Sequence, residues 1–162
     1  MHINPDHFLE TSTGRVVTEE RNATAWAKCH AALADALAAS GPGATVYVLV
    51  GAQGCGKSTW ARAKATEDPA AIVFDAILVR RIERAPILEA AAARNVPVVA
   101  VWFKTPLETC LARNAARPAD QFADESGLRN VYAALEPPSR DEGFADVIEV
   151  SAAGIASRPL RR

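Results

Sequence analysis

The sequence predicts a three-layer α/β domain with a short, mostly parallel sheet and helices on both faces. Three observations predict it. Ala44-Thr45-Val46-Tyr47-Val48-Leu49-Val50 is a short apolar run rich in β-branched residues, and it leads directly into a glycine loop and then into good helix formers. Val98-Val99-Ala100-Val101-Trp102-Phe103 is a continuous apolar run, as expected of a strand buried on both faces of a parallel sheet. Between and after these runs lie segments of helical periodicity, the alternation that builds βαβ units.

The length of 162 residues suits one domain with a substantial core, and 49% hydrophobic and 23% charged residues are ordinary for a soluble globular chain. A net charge of −1 argues against wholesale wrapping of nucleic acid while leaving room for a local basic groove. Three widely spaced cysteines (Cys29, Cys55 and Cys110) and no signal peptide fit reduced thiols in a cytoplasm. No apolar run reaches membrane-spanning length, so no membrane partner is expected.

Residues 1–43 read as an N-terminal extension. Thr13-Gly14-Arg15 between Phe8-Leu9 and Val16-Val17 fits a small hairpin or an extended arm. Asn22 is positioned to cap a helix whose Trp26, Cys29, Leu33 and Leu37 form one stripe, expected to pack on the core. Ser40-Gly41-Pro42-Gly43 stops that helix. His2, His7 and His30 have no partner at metal-ligand spacing and read as incidental.

The core, 44–150, opens on Gly51-Ala52-Gln53-Gly54-Cys55-Gly56-Lys57-Ser58-Thr59, the G-x-x-x-x-G-K-[ST] pattern of a phosphate-binding P-loop. Strand before and helix after are the context that gives the pattern meaning. Glycines let the loop amides close on an anion, and the helix N-terminus adds partial positive charge. Lys57 would reach the β- and γ-phosphates of ATP, and Ser58 would offer its hydroxyl to Mg²⁺. Cys55, beside a helix N-terminus, is either a thiol of lowered pKa or simply a tolerated small side chain.

Asp68-Pro69 breaks the next helix, and Ala71-Ile72-Val73-Phe74-Asp75 is a short strand ending on an acid. Ligands of open α/β sheets bind at that strand end, so Asp75 could hold the metal or accept a proton from an acceptor hydroxyl; a helix cap or a solvated loop acid is the competing account. Arg80, Arg81 and Arg84 follow on the front of a helix running to about Arg94, with Pro86 marking a kink or its true start. They could grip a phosphorylated acceptor bidentately or lie on a solvated face. The strand at 98–103 closes on Lys104 rather than an acid, leaving Asp75 as the candidate for the metal-side carboxylate.

Thr105-Pro106-Leu107-Glu108 has the form of a capping box, opening a helix with Arg113, Asn114 and Arg117 in its last turns. Like charges four apart are mildly unfavourable alone and would be relieved by an anion, which suits a lid at about 105–120 closing over phosphates; the helix dipole is the plainer explanation. A second helix spans about Asp124 to Glu136, with Leu128, Val131, Tyr132 and Leu135 on one face. Ala145–Val150 reads as the last strand, and 151–162 as a loose tail.

With these parts together, residues 46–150 resemble the small P-loop kinases related to 5′-polynucleotide kinases and, more distantly, zeta-toxin-like phosphotransferases. The resemblance rests on the P-loop through Arg62, on Thr105-Pro106-Leu107-Glu108-Thr109-Cys110-Leu111-Ala112-Arg113-Asn114-Ala115-Ala116-Arg117, and on Leu135-Glu136-Pro137-Pro138 through Asp141-Glu142-Gly143-Phe144. It implies an ATP- and Mg²⁺-dependent transfer to a hydroxyl acceptor, the 5′-hydroxyl of a nucleic acid or a small molecule. Arg113 and Arg117 would be lid arginines on the phosphates, Asn114 would support the adenine side, and Asp75 would be general base or metal-side carboxylate. Such kinases usually carry two strands between the P-loop helix and the lid-side strand, each ending on functional polar residues. Here a single strand ends on Asp75 and is followed by Ala76-Ile77-Leu78. A nucleotide-binding regulatory module with weak or no transfer is the alternative that this compression favours, with the N-terminal extension as the stretch that could compensate.

Overall fold

A computed structural model describes residues 1–151 together with the backbone of residues 154 and 155. The strands are β1 (His2–Ile3), β2 (Glu10–Thr11), β3 (Gly14–Arg15), β4 (Thr45–Val50), β5 (Ala71–Asp75), β6 (Val98–Phe103), β7 (Asp146–Ser151) and β8 (Gly154–Ile155). The helices are α1 (Glu19–Ala39), α2 (Lys57–Glu67), α3 (Arg81–Ala92), α4 (Leu107–Ala115) and α5 (Glu125–Ala134). Most of the expected tail lies outside the described residues.

The main sheet runs β1-β5-β4-β6-β7-β8, and β2 pairs with β3 as a separate hairpin. All neighbours from β1 to β7 are parallel; β8 turns back antiparallel on β7. Parallel strands bury both faces, and β5 is buried at all five positions. The alternation of side chains divides the core in two. On one face Val46, Val48, Phe74 and Ala100 pack with Cys29, Leu33 and Leu37 of α1 and with Ile87, Leu88 and Ala91 of α3. On the other, Leu49, Val73, Val101 and Phe103 pack with Ala61 of α2, Cys110 of α4 and Leu128 of α5. Helices on both sides of a five-strand parallel array give the three-layer α/β fold of P-loop NTPases.

Local chemistry moved several boundaries. Thr18, not Asn22, caps α1: its side chain accepts from the Arg21 amide. Pro86 lies inside α3 rather than at its start. Thr105 forms no capping box; its hydroxyl donates instead to the Cys55 carbonyl, 2.9 Å away, and ties the start of α4 to the P-loop. Helix α4 ends at Ala115, so Arg117 lies in the following turn and the two lid arginines are not one helical face. Asp124 caps α5 by accepting from the Gly127 amide.

The N-terminal segment contains the largest difference from expectation. His2–Ile3 adds a parallel strand to the outer edge of β5, in register with Val73 and Phe74. The position beyond β5, where a second acid-ending strand is usual in the kinases the sequence resembles, is thus taken by residues from the other end of the domain.

Candidate functional site

The P-loop connects β4 to α2 at the C-terminal edge of the sheet. Gly54 and Gly56 hold φ of +78° and +107°, the left-handed region where glycine is favoured. A Cβ on Gly54 would also meet the Cys110 carbonyl oxygen at 2.5 Å, so α4 backbone and loop approach as closely as they do only because that position is bare. Helix α2 begins at Lys57, its N-terminus facing the loop. Gly51, Ala52, Gln53, Cys55, Ser58 and Thr59 complete the expected motif at the same place. Gln53 Oε1 is buried and has no hydrogen-bond partner among the described residues, an orphaned acceptor in the loop itself. The Lys57 ammonium is turned back on the loop, donating to the carbonyls of Gly51 (2.8 Å) and Ala52 (2.9 Å). Cys55 is buried with its sulfur 3.9 Å from Lys57 Nζ.

Asp75 ends β5 directly beside Ser58. One carboxylate oxygen, Oδ2, accepts from Ser58 Oγ at 2.7 Å, from Asn4 Nδ2 at 2.8 Å, and lies 3.0 Å from His2 Nε2. The side chain is 2% exposed. Burial pushes its carboxyl up, but the His2 hydrogen bond, the positive charge of Lys57 and the Ser58 hydroxyl outweigh burial and hold it below the usual carboxylate range. Burial and the neighbouring His2 push the His7 imidazole down against the pull of Asp75 and Asp6. His2 is therefore no incidental histidine. Its ring also meets His7 edge-on, with centroids 4.8 Å apart. Asn4 is buried, and its own Oδ1 accepts from the Asp6 amide, capping the short 3-10 turn at Pro5–Phe8.

A divalent cation held here would find oxygen donors, the Ser58 hydroxyl and the Asp75 carboxylate, with the remaining positions left to nucleotide phosphates and water. That is the donor set Mg²⁺ takes in phosphate-handling sites, and no cluster of three His, Cys, Asp or Glu competes for it among the described residues. The residues fit the ion.

The lid residues separate by role. Arg113 reaches back to the P-loop, its guanidinium 3.4 Å from the Gly54 carbonyl. Arg117 is exposed and lines the space above Lys57 and Ser58. Asn114 is buried, with its amino group donating to the Ala123 carbonyl (2.7 Å) and its carbonyl accepting the Ala123 amide (3.0 Å). It braces the turn after α4. The turn also touches the N-terminal hairpin: the Arg15 amide donates to Asp120 at 3.0 Å, and Gly14 packs against the same carboxylate.

Two clefts meet over the loop. One, of about 1110 Å³, runs along the P-loop and past Phe103, Arg113 and Val150. The other, of about 900 Å³, lies over Asp75 between the N-terminal segment, α1, α3 and the lid turn. Both are of the size that holds a small molecule or nucleotide. Neither is lined by Arg80, Arg81 or Arg84 among its described residues. Arg84 is fully buried, its guanidinium paired with both Glu142 oxygens (2.8 and 2.7 Å) and donating to the carbonyls of Leu78 and Glu136. Arg81 pairs with Asp141 at 2.6 Å. Arg80 is exposed ahead of α3. Arg81 and Arg84 of the expected acceptor clamp thus brace α3 against the 139–144 loop, away from both clefts.

Sequence reasoning missed His2, Asn4, Arg15 and Asp120. None lies in a motif, and the one available sign was polar residues flanking a lone β-branched Ile3, too short a pattern to read as a strand.

Fold and loop define a P-loop nucleotide-binding domain. Residues 62–138, just under half the chain, match the sequence model of a family described as an AAA domain. The match starts within α2 and includes Asp75, β6 and α4. No curated protein matches the chain. No helix among the described residues is long and apolar enough to cross a membrane.

Proposed function

We propose that the chain is a phosphotransferase that uses ATP and Mg²⁺ to move the γ-phosphoryl group to a hydroxyl acceptor. The observation that carries this reading is the convergence of Lys57, Ser58 and Asp75 beneath Arg113, which reaches the loop from α4, and Arg117, which lines the cleft from the turn after it.

Phosphoryl transfer asks for positioning and charge stabilisation more than covalent chemistry. The loop amides and the α2 N-terminus receive the β- and γ-phosphates. Lys57 exchanges the Gly51 and Ala52 carbonyls for phosphate oxygens, a short swing about its own stem. Ser58 and Asp75 supply protein oxygens to Mg²⁺, which neutralises charge on the β- and γ-phosphates when bound. Arg113 and Arg117 stabilise charge on the transferring group. Asp75 is held ionised, so it orients the acceptor hydroxyl and takes its proton late, as a weak base in a loose transition state.

Mixing the full chain with γ-labelled ATP, Mg²⁺ and a hydroxyl acceptor should transfer label. Lys57→Ala and Arg117→Ala should each lower transfer at least a hundredfold while circular dichroism stays native. Full activity in either variant would sink the mechanism.

A regulatory nucleotide-binding module is the second reading. Three donors already converge on Asp75 Oδ2, an arrangement that a static binding site could also use. Tight ATP binding with label appearing in no acceptor would favour it.

A further inference from the structure

We propose that the acceptor taken over Asp75 is an uncharged or cationic hydroxyl compound and that polyanions are rejected. This rests on the phosphotransferase reading above and specifies its unassigned half.

The cleft over Asp75 is the space an acceptor must occupy, since its floor holds Lys57, Ser58 and Asp75. Its lining carries four carboxylates, Asp6, Asp75, Glu83 and Asp120, against Lys57, Arg15 and Arg117, with the His30 imidazole beside them. Lys57 and Arg117 face the donor phosphates in the mechanism. Arg15 is neutralised in place, held by Asp6 at 2.8 Å and Glu10 at 2.9 Å. Glu83 accepts from the Arg80 amide at 2.8 Å and Asp120 from the Arg15 amide at 3.0 Å, bonds that fix both carboxylates without cancelling their charge. With Lys57 and Arg117 on the donor phosphates, Asp75 on the metal side and Asp6 paired with Arg15, Glu83 and Asp120 are the carboxylates left to face an acceptor, and that wall is net negative.

Of the three arginines next to this wall, two are bound elsewhere, and Arg80, though exposed, does not line the cleft. Arg84 is sealed against Glu142 and Arg81 is paired with Asp141, both off the cleft. An oligonucleotide end or a nucleotide sugar would bring phosphates against Glu83 and Asp120, with Arg15 already paired and Arg117 turned to the donor phosphates, and like charges at that range cost specificity energy. Amino or hydroxyl groups would instead find acceptors. The wall opposite is a ring surface, Trp26 and His30 of α1 with centroids 6.1 Å apart, suited to the apolar face of a sugar or a base.

The test uses the full chain with γ-labelled ATP, Mg²⁺ and four acceptors at equal concentration: glucosamine, adenosine, a 5′-hydroxyl oligothymidylate and UDP-glucose. Label should enter glucosamine or adenosine at least tenfold faster than either anionic compound. Glu83→Gln, which keeps the bond to the Arg80 amide, should lower kcat/KM severalfold for glucosamine and leave adenosine unmoved. Label entering the oligonucleotide or UDP-glucose as fast or faster overturns the inference and leaves the phosphotransferase reading standing. Label in none of the four, with ATP still bound, removes both.

Discussion

Replacing Asn4 by aspartate tests whether the N-terminal segment sets the charge state of the site. The substitution keeps an oxygen to accept the Asp6 amide but exchanges the donor 2.8 Å from Asp75 Oδ2 for a second carboxylate. Two carboxylates relaxed to about 4 Å at an effective dielectric of about 20 repel by roughly 4 kcal/mol, which raises the pKa of one of the two. In the native protein Asp75 has the opposite sign. Its carboxyl is depressed, so it contributes stability that is complete above about pH 4 and is lost only as pH falls through its folded value. In Asn4→Asp the pair shares a proton whose folded pKa is raised, so that contribution to stability is present in acid and is lost as pH rises through the raised folded value. The difference in urea-unfolding free energy between variant and wild type should therefore widen by roughly 3 kcal/mol between pH 5 and pH 8. Asn4→Ala, which removes the hydrogen bonds without adding charge, should cost about 1–3 kcal/mol with no such slope. A difference between Asn4→Asp and wild type that stays flat from pH 5 to pH 8 would refute the coupling of β1 to Asp75.

Other outcomes follow from the same geometry. Gly54→Ala forces a Cβ onto the Cys110 carbonyl and into a left-handed backbone, so it should cost about 2–4 kcal/mol in denaturant unfolding and abolish nucleotide binding by calorimetry. Arg84→Ala leaves Glu142 charged and buried, and should lose about 3–5 kcal/mol in urea titration, with Glu142→Gln less severe. Thr105→Val removes the hydroxyl that meets the Cys55 carbonyl; about 1 kcal/mol of stability and a weaker nucleotide affinity should go with it, checked by thermal shift with and without ATP.

What was legible in the sequence is what local forces determine. The run from Thr45 to Val50, the glycines after it and the helix formers from Lys57 are contiguous, so loop, strand and helix could be placed from spacing alone. Asp75 was legible because a short apolar run ended on it. Arg84 was not, because its partner Glu142 lies 58 positions away and nothing near Arg84 distinguishes a brace from a ligand clamp. The brace made by Asn114 was illegible for a related reason: its partner, Ala123, is bonded through backbone, which leaves no mark in composition. Thr105 had the spacing of a cap, yet a carbonyl brought close by the tertiary fold competed successfully for its hydroxyl. Strand β1 left no periodic signal, since a two-residue strand forms only where an existing edge supplies partners.

That strand gives the site a weak hinge in time as well as in space. Two residues on a sheet edge are held by few backbone hydrogen bonds, which puts β1 at the low end of the local-stability range, while β4, β5 and β6 sit in the most protected part of the sheet. Detachment of residues 2–4 would take two of the three donors from Asp75 and open the cleft wall without disturbing the phosphate loop. During synthesis the same contact waits for 71 further residues after Asn4, so the P-loop can assemble on the folding core before the N-terminal segment closes against Asp75.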